Sequence, residues 1–307
     1  MPSNRRERGI FLLPGGYYEG GKLNRKVELR PLTGLEEEII AADSSQDQNI
    51  AKLVTLLLTS CVLRIGSIRD ITPEIVRKLL VADRDYLILK LRQLTFGNKV
   101  EGIVVCPDPE CGQKIDIDFD LNDVEIGRKN GLKPPFLMKL SKKAAYKDSK
   151  GKIHREIEFR LPNGGDQEEI APWVGVNEAR AMAELYARCI KRIGSIGKVT
   201  PELVQLLTKS ARQEIEVKIR EVTPVVDLTM EVECPYCNLN FVNNFDLYEF
   251  FLNELEIDKE QLYSEIHLLA LYYNWSEKEI LSLIRNKRRM YVELLENEIE
   301  QYNQQFE

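Results

Sequence analysis

An internal repeat with a period of about 128 residues constrains the fold more than any other feature of the chain. The octapeptide at residues 61–68, CVLRIGSI, returns 128 residues later at residues 189–196 as CIKRIGSI, with six of eight positions identical. The same offset carries Thr-Pro-Glu from residues 72–74 to residues 200–202. A period this long favours two homologous domains over a solenoid of short repeats. We therefore expect a tandem duplication.

Both copies predict the same order of elements. A hairpin leads to a helix that begins after an Asn N-cap and ends at a glycine in the C′ position. A second helix starts at Thr-Pro, because proline is favoured where no intrahelical acceptor exists for an N–H. A third helix and a two-stranded ribbon follow. The predicted N-caps are Asn49 and Asn177, the predicted C′ glycines are Gly66 and Gly194, and the third helices span residues 83–95 and 210–222.

The predicted fold class is α+β: a duplicated helical domain with a β-hairpin and a zinc-ribbon-like β-ribbon, followed by a C-terminal helical arm. The linker between copies is rich in Lys, Gly and Pro. In the arm, residues 258–261 and 276–279 read as capping boxes. The predicted boundaries are 1–126 for the first repeat, 127–135 for the linker, 136–250 for the second repeat and 251–307 for the arm.

Each predicted ribbon has a two-cysteine loop, or knuckle, at its tip. The first is Cys106-Pro107-x-x-x-Cys111 and the second is Cys234-Pro235-x-Cys237. Thiolates are good zinc ligands, and structural zinc sites usually take four of them in a tetrahedron. Each knuckle provides only two, so we expect the two copies to share one structural zinc ion. The predicted metal ligands are Cys106, Cys111, Cys234 and Cys237.

Two other interpretations of the knuckles remain open at this point. The cysteines could form two separate disulfides, which would be strained at such short spacing. They could also be small residues in a turn without any bond. The two histidines, His154 and His267, do not complete either knuckle, so a metal site would depend on the thiols alone.

Composition narrows the function classes. With 307 residues, a net charge of −6 and 43% hydrophobic residues, the chain is typical of a globular protein rather than a general nucleic-acid binder, which needs a basic face. Its longest apolar stretch, at residues 54–63, is shorter than the ~20 residues of a membrane span. The first residues do not resemble a secretory signal. We expect synthesis in the cytoplasm, with reduced or metal-bound cysteines.

The remaining candidate residues favour structural roles. Cys61 and Cys189 occupy equivalent places in apolar helices, where a free cysteine usually packs as a small hydrophobe. His267 lies in an apolar helix without a titratable partner, and His154 has Asn24 as its counterpart in the other copy. The basic run at residues 285–289 is expected to be a solvated helix face. No phosphate loop or catalytic motif is present, which indicates a non-enzymatic protein.

Several segments resemble the baseplate proteins of contractile phage tails, as in T-even-type phages, and of related contractile injection systems. The resemblance rests on residues 12–17 leading to 27–34, on 94–97 and 106–112, and on 267–283 with the Arg-rich helix that follows. It implies a structural or assembly component that binds other baseplate, hub, tube or sheath proteins, without nucleic acid or a small-molecule substrate. It also implies a place within an assembled phage-tail-like particle. The alternative is a zinc-ribbon nucleic-acid-binding protein.

Overall fold

The computed structural model describes residues 8–42, 49–129, 133–255 and 259–304, which form a mixed α/β protein with several small sheets. The first unit contains a three-stranded sheet, four helices and a ribbon. Its elements are β1 (Gly9–Glu19), β2 (Lys22–Leu29), α1 (Gly34–Ala42), α2 (Ile50–Cys61), β3 (Val62–Ile65), α3 (Pro73–Lys78), α4 (Val81–Phe96), β4 (Lys99–Val105), β5 (Lys114–Asp120) and β6 (Glu125–Gly127).

The second unit follows a similar order, with a small hairpin added after its first strand, a 3₁₀ turn before its second helix, and the short strand placed before the ribbon and not after it. Its elements are β7 (Phe136–Lys139), β8 (Tyr146–Lys147), β9 (Ile153–His154), β10 (Glu156–Phe159), α5 (Gly164–Ile170), a 3₁₀ turn (Ala171–Trp173), α6 (Glu178–Cys189), β11 (Ile190–Ile193), α7 (Pro201–Gln205), α8 (Lys209–Val222), β12 (Val225–Asp227), β13 (Thr229–Glu233) and β14 (Asn240–Asn244). Helices α9 (Leu247–Leu255), α10 (Lys259–Tyr273), α11 (Glu277–Leu281) and α12 (Arg285–Gln304) follow.

The predicted N-caps are confirmed. The side chain of Asn49 accepts a hydrogen bond from Lys52 N, and that of Asn177 accepts one from Arg180 N. The third helices lie within two residues of their predicted ends, at α4 and α8. The capping box at Ser276 is also present, whereas the predicted box at Asp258 begins outside the described residues. Local signals therefore define the starts of these helices.

The predicted C′ roles of Gly66 and Gly194 are wrong. Helix α2 ends at Cys61 and α6 at Cys189, and each is followed by a strand. The reason is that both terminal carbonyls are satisfied by a sheet, since Arg30 N–H and Arg160 N–H donate to them at 3.0 Å. The glycines instead adopt left-handed conformations, φ 58° and 55°, in the turn after each strand.

Contacts recur at equivalent places in the two units. In the sheets, β2 pairs with β3 as β10 pairs with β11, with a register shift at the same step of each pair. Directly after β2 and after β10, an arginine forms a bidentate ion pair with a carboxylate of the next helix. These pairs are Arg30 with Glu36 and Arg160 with Asp166. These arrangements brace the strand against the first turn of the next helix.

Each unit has its own apolar core. The first core lies between its sheet and helices α2 and α4, and the second, smaller core lies between its sheet and helices α6 and α8. Helix α9 belongs to the first core although it follows the second ribbon, because Leu247, Phe251 and Leu255 pack there. It therefore crosses the predicted boundary at residue 250 and links the two units.

The C-terminal helices form a further apolar cluster of their own, which includes Leu262, Leu269 and Ile280. They lie on α1, where Tyr263 donates to Glu38 at 2.8 Å. No helix in the described ranges is both long and apolar enough to cross a membrane.

Candidate metal centre

The first knuckle is a tight loop between β4 and β5. Cys106 N–H donates to Gln113 O at 2.9 Å, which continues the ribbon to its tip. The N–H groups of Cys111 and Gly112 both donate to Asp108 O, and Gly112 has a φ of 53°. The left-handed residue directly after Cys111 turns the chain back toward β5 and leaves both sulfurs on the same side of the loop.

The second knuckle reproduces this turn with two residues fewer. Cys234 N–H donates to Leu239 O at 2.9 Å, and Asn238 N–H donates to Cys234 O at 2.8 Å. Asn238, which follows Cys237, has a φ of 59°; asparagine tolerates this conformation better than most residues. The two knuckles therefore share a left-handed residue after their second cysteine.

All four predicted ligands meet at one point. The Sγ atoms of Cys106 and Cys237 lie 3.6 Å apart, those of Cys111 and Cys234 lie 3.7 Å apart, and all four lie within 4.8 Å of one another. Four thiolates around a zinc ion at about 2.3 Å would have sulfur–sulfur separations of about 3.8 Å. A disulfide needs about 2.05 Å. The four side chains thus fit a tetrahedral metal ion better than they fit a pair of disulfides.

The cluster lies at the contact between the two ribbons. Cys106 and Cys234 are buried, Cys111 is half-buried and Cys237 is exposed. Apolar side chains from both ribbons surround the sulfurs, among them Val104, Ile115 and Val232. This shell shields the cluster on one side, and Cys237 faces the solvent.

Backbone amides favour the thiolate form at one ligand. Burial of Cys234 raises the pKa of its thiol, but hydrogen bonds from the N–H groups of Tyr236 and Cys237 and from the thiols of Cys237 and Cys111 outweigh burial, and the pKa falls to about 7. A hydrogen bond from Leu239 N–H lowers the pKa of Cys237, but burial and the other three sulfurs raise it to about 12. Metal binding requires the deprotonated sulfur, and within this cluster the thiolate is favoured at Cys234.

The other two cysteines are separate from this centre. Cys61 and Cys189 are fully buried at the ends of α2 and α6. Burial raises the pKa of both thiols, that of Cys189 to about 12. A thiol with a raised pKa is a poor nucleophile at neutral pH, so the packing role predicted for these residues fits their surroundings.

The histidines also lie away from the cluster. His154 is buried, and its Nε2 lies 3.0 Å from Asp148 Oδ2. Its side chain packs against Gly194 in the same way that the side chain of Asn24 packs against Gly66. His267 is exposed on α10. Neither side chain belongs to the metal centre.

The basic run at residues 285–289 is not a simple solvated face, so this prediction is wrong. Arg288 is 1% exposed and binds Glu37 of α1 and Glu265 of α10, each at 2.7 Å. Arg285 is also buried and donates to Leu255 O. Carboxylates distant in sequence compensate these charges, and no local pattern in the run could have indicated them. The alternation of charge along α12 was the visible signal, and it is equally typical of a surface helix.

Searches of curated proteins and of solved structures gave no significant match to this chain. A family model does match: residues 17–252 fit the model of the T4 bacteriophage base plate protein. This range includes both knuckles, most of α9 and both units except most of β1. This match covers most of the chain and agrees with the resemblance in the sequence. The protein therefore belongs to the T4 bacteriophage base plate protein family.

Proposed function

We propose that this protein is a non-enzymatic structural or assembly component of the baseplate of a contractile phage tail or contractile injection system. The family match across both units is the observation that carries the proposal. The net charge of −6 also supports a protein partner over nucleic acid. The partners are other baseplate, hub, tube or sheath proteins, and no small-molecule substrate is involved. The protein is made in the cytoplasm and acts within the phage-tail-like particle or during its assembly.

A pulldown at two salt concentrations, with and without nuclease, tests this function. The tagged full chain is co-expressed with the baseplate, tube and sheath proteins encoded beside it. Recovery of baseplate proteins that survives nuclease supports the proposal. Salt-sensitive recovery of nucleic acid alone would replace it with the zinc-ribbon nucleic-acid-binding alternative.

The proposed cofactor is one structural zinc ion held by Cys106, Cys111, Cys234 and Cys237. The sulfur–sulfur distances of 3.6 and 3.7 Å support it. Four protein thiolates leave no open coordination position for water, so such an ion would join the ribbons and would not activate a substrate.

Elemental analysis of the purified chain tests the zinc site. The wild-type protein is expected to contain one zinc per chain. Cys234→Ser should lose most of it, because a hydroxyl is a far weaker zinc ligand than a thiolate. Cys189→Ser is the matched control, since it removes a buried thiol outside the cluster and should retain the metal. Wild-type protein with six freely titratable thiols and no zinc would rule the cofactor out.

We also propose a domain organisation for the chain. The two units are copies produced by duplication, with boundaries at 1–126, 127–135, 136–250 and 251–307, and their ribbons form a zinc-ribbon-like pair. The shared register shift, the equivalent ion pairs and the equivalent glycine turns support this organisation. The linker includes residues 130–132, which lie outside the described residues.

A further inference from the structure

The same kind of contact occurs at two places in the chain: the first turn of one helix binds a leucine carbonyl that lies between two other helices. Gly164 N–H, in the first turn of α5, donates to Leu79 O at 3.0 Å, and Leu79 lies between α3 and α4. Gly34 N–H, in the first turn of α1, donates to Leu283 O at 3.3 Å, and Leu283 lies between α11 and α12. The first contact joins the two units, and the second attaches the C-terminal helices to the first unit.

An arginine completes each contact, five residues after the accepting leucine. Arg84 packs so closely on Gly164 that a Cβ atom there would lie 2.0 Å from its Nη1. Arg288 packs on Gly34, where a Cβ would lie 2.9 Å from Nη1. Both arginines are buried, at 0% and 1% exposure. Glycine is therefore needed at both helix starts to admit the guanidinium.

A preceding helix supports each arginine and extends the contact. Arg84 donates to Thr55 of α2, which in turn donates to Glu168 of α5 at 2.5 Å. Arg288 binds Glu265 of α10, and Tyr263 of α10 donates to Glu38 of α1. Two groups of three helices thus serve as equivalent docking units. We call α2–α3–α4 the first head and α10–α11–α12 the arm head.

Helices α6, α7 and α8 form a third head with the same spacing. The middle helix begins after Thr200, as α3 begins after Thr72 and α11 after Ser276. Leu207 follows this N-cap by seven residues and Arg212 by twelve, the intervals found in the other two heads.

The third head is uncovered within the part of the chain that the structure describes. No described backbone N–H donates to Leu207 O. Arg212 is half-buried, and among the described residues the one hydrogen bond of its side chain goes to the carbonyl of Gln205, at 3.3 Å. Leu206 beside it is 68% exposed. The leucine carbonyl and the arginine, which are covered in two heads, are therefore open to a partner in the third.

We propose that the third head binds the first turn of α1 in a second copy of this chain. Both α1 and α5 are covered within their own chain, α5 by the first unit and α1 by the arm head. Helix α1 is the more accessible occupant, because the arm head has an apolar cluster of its own and can leave α1 without opening the core of either unit. Helix α1 carries the glycine that the contact requires and Glu37, the carboxylate that already binds an arginine. Arg212 offers the complementary charge. The inference rests on the proposed duplication, since the duplication equates the first and third heads; the arm head is related to both by its spacing and its contacts.

Such a contact is heterologous, so it can join more than two copies into a ring or a row. The arm head of each copy competes for the same turn of α1 and has the advantage of a covalent tether. An isolated chain is therefore expected to associate weakly. Weakening the arm head should expose α1 and strengthen association between copies.

Sedimentation velocity over a concentration series tests the proposal on full-length, zinc-loaded chains. Arg288→Ala removes the arm head's arginine, and self-association should become at least about tenfold tighter than in the wild type, because a buried ion pair is lost. Adding Leu206→Asn or Arg212→Glu should abolish the gain. Leu137→Asn is the matched control, since Leu137 is also 68% exposed but lies on β7, outside the head.

A charge exchange makes the test specific. In the Arg288→Ala background, Arg212→Glu together with Glu37→Arg should restore association. Circular dichroism checks that each variant is folded, and Arg288→Lys replaces Arg288→Ala if the latter unfolds. If the Arg288→Ala chain is folded but stays monomeric, the proposal is overturned. It is also overturned if that variant associates and Arg212→Glu leaves the association unchanged. Zinc content is measured separately, so loss of the metal and loss of association are distinguishable failures.

Discussion

Gly66 and Gly194 each lie in a left-handed turn directly against a buried polar side chain. A Cβ atom on Gly66 would lie 2.1 Å from Asn24 Oδ1, and one on Gly194 would lie 2.3 Å from His154 Nδ1. Each glycine N–H donates at 2.7 Å to a carbonyl of the neighbouring strand. Glycine is therefore required at both positions for two reasons: the backbone has a positive φ, and the neighbouring side chain leaves no space for a Cβ atom.

Substitution of Gly66 separates these two requirements. Gly66→Ala should lower the free energy of unfolding by about 3 kcal/mol, since it combines backbone strain with a clash in the core. Gly20→Ala is the control, because Gly20 has nearly the same φ, 55°, with no atom within 4 Å of the added methyl. It should cost about 1 kcal/mol. Urea denaturation measures both, and equal losses would show that crowding by Asn24 is unimportant.

Asp166 is a buried carboxylate with two arginine partners. Burial raises its pKa, but hydrogen bonds and charge from Arg160, a hydrogen bond from Asn163 N–H and one from Arg188 outweigh burial, and the pKa falls below its usual value. A group whose pKa is lower in the folded state stabilises the protein above its unfolded pKa of about 3.9. That stabilisation is lost as the pH falls through the lower folded value.

Asp166→Asn should therefore destabilise the protein by about 3 kcal/mol at pH 7, since Arg160 is left without its carboxylate. The difference from wild type should be constant down to about pH 4 and then narrow. Thermal melts at several pH values measure it. Asp116→Asn, at an exposed position on β5, should show little effect at any pH. A gap for Asp166→Asn that widens below pH 4 would contradict the assigned cause.

At the scale of elements, the helix starts, the ribbons and their knuckles could be predicted because their signals are local. Asn49 and Asn177 cap helices by contacting a residue three positions away, and residues 114–120 of β5 alternate between charged and apolar side chains. The ends of α2 and α6 could not be predicted, because the N–H groups of Arg30 and Arg160, directly after β2 and β10, bind their last carbonyls. The same limit hid the packing of α9 on the first core, where its Arg92–Glu254 pair joins residues 162 positions apart.

The cysteine cluster is a partial exception to this limit. Its four residues could be selected from the sequence because the repeat relates Cys106 to Cys234, which turns a distant contact into a question of symmetry. The buried arginines Arg84 and Arg288 share a spacing from the preceding N-cap, but nothing in that spacing indicates burial. Each contacts a helix start distant in sequence, Gly164 and Gly34, and the structure is needed to bring these residues together.

The C-terminal helices contact the first unit mainly through α1 and contain an apolar cluster of their own. Deletion of residues 259–307 should therefore leave a folded body that retains its zinc and melts at a lower temperature, because Glu37 loses Arg288. Binding to baseplate partners through the arm should be lost. Circular dichroism and zinc analysis measure the first expectation, and a pulldown measures the second. A truncated chain that is unfolded would show that the arm is part of the core.

Across the whole molecule, the two units are joined at several places besides the cysteine cluster. Strand β6 of the first unit pairs with β12 of the second. Leu79 accepts from Gly164, and α9 returns to the first core. The cluster lies at the far tips of the ribbons, where the surrounding apolar shell is small. A zinc ion there would fix the tips relative to each other, while the cores would remain joined through the other contacts.

Metal removal should thus have a local effect. An isolated two-stranded ribbon is marginally stable in water, so a zinc chelator should increase amide hydrogen exchange at least about tenfold in residues 104–115 and 232–241. Exchange at Ile65 and Ile193, which lie in the two sheets, should hardly change. Cys106→Ser without chelator should reproduce this pattern, whereas Cys61→Ser should not, because Cys61 lies in the first core. If chelation exposes the amides of both cores, the metal supports the whole fold; if the ribbon tips stay protected, packing alone holds them together.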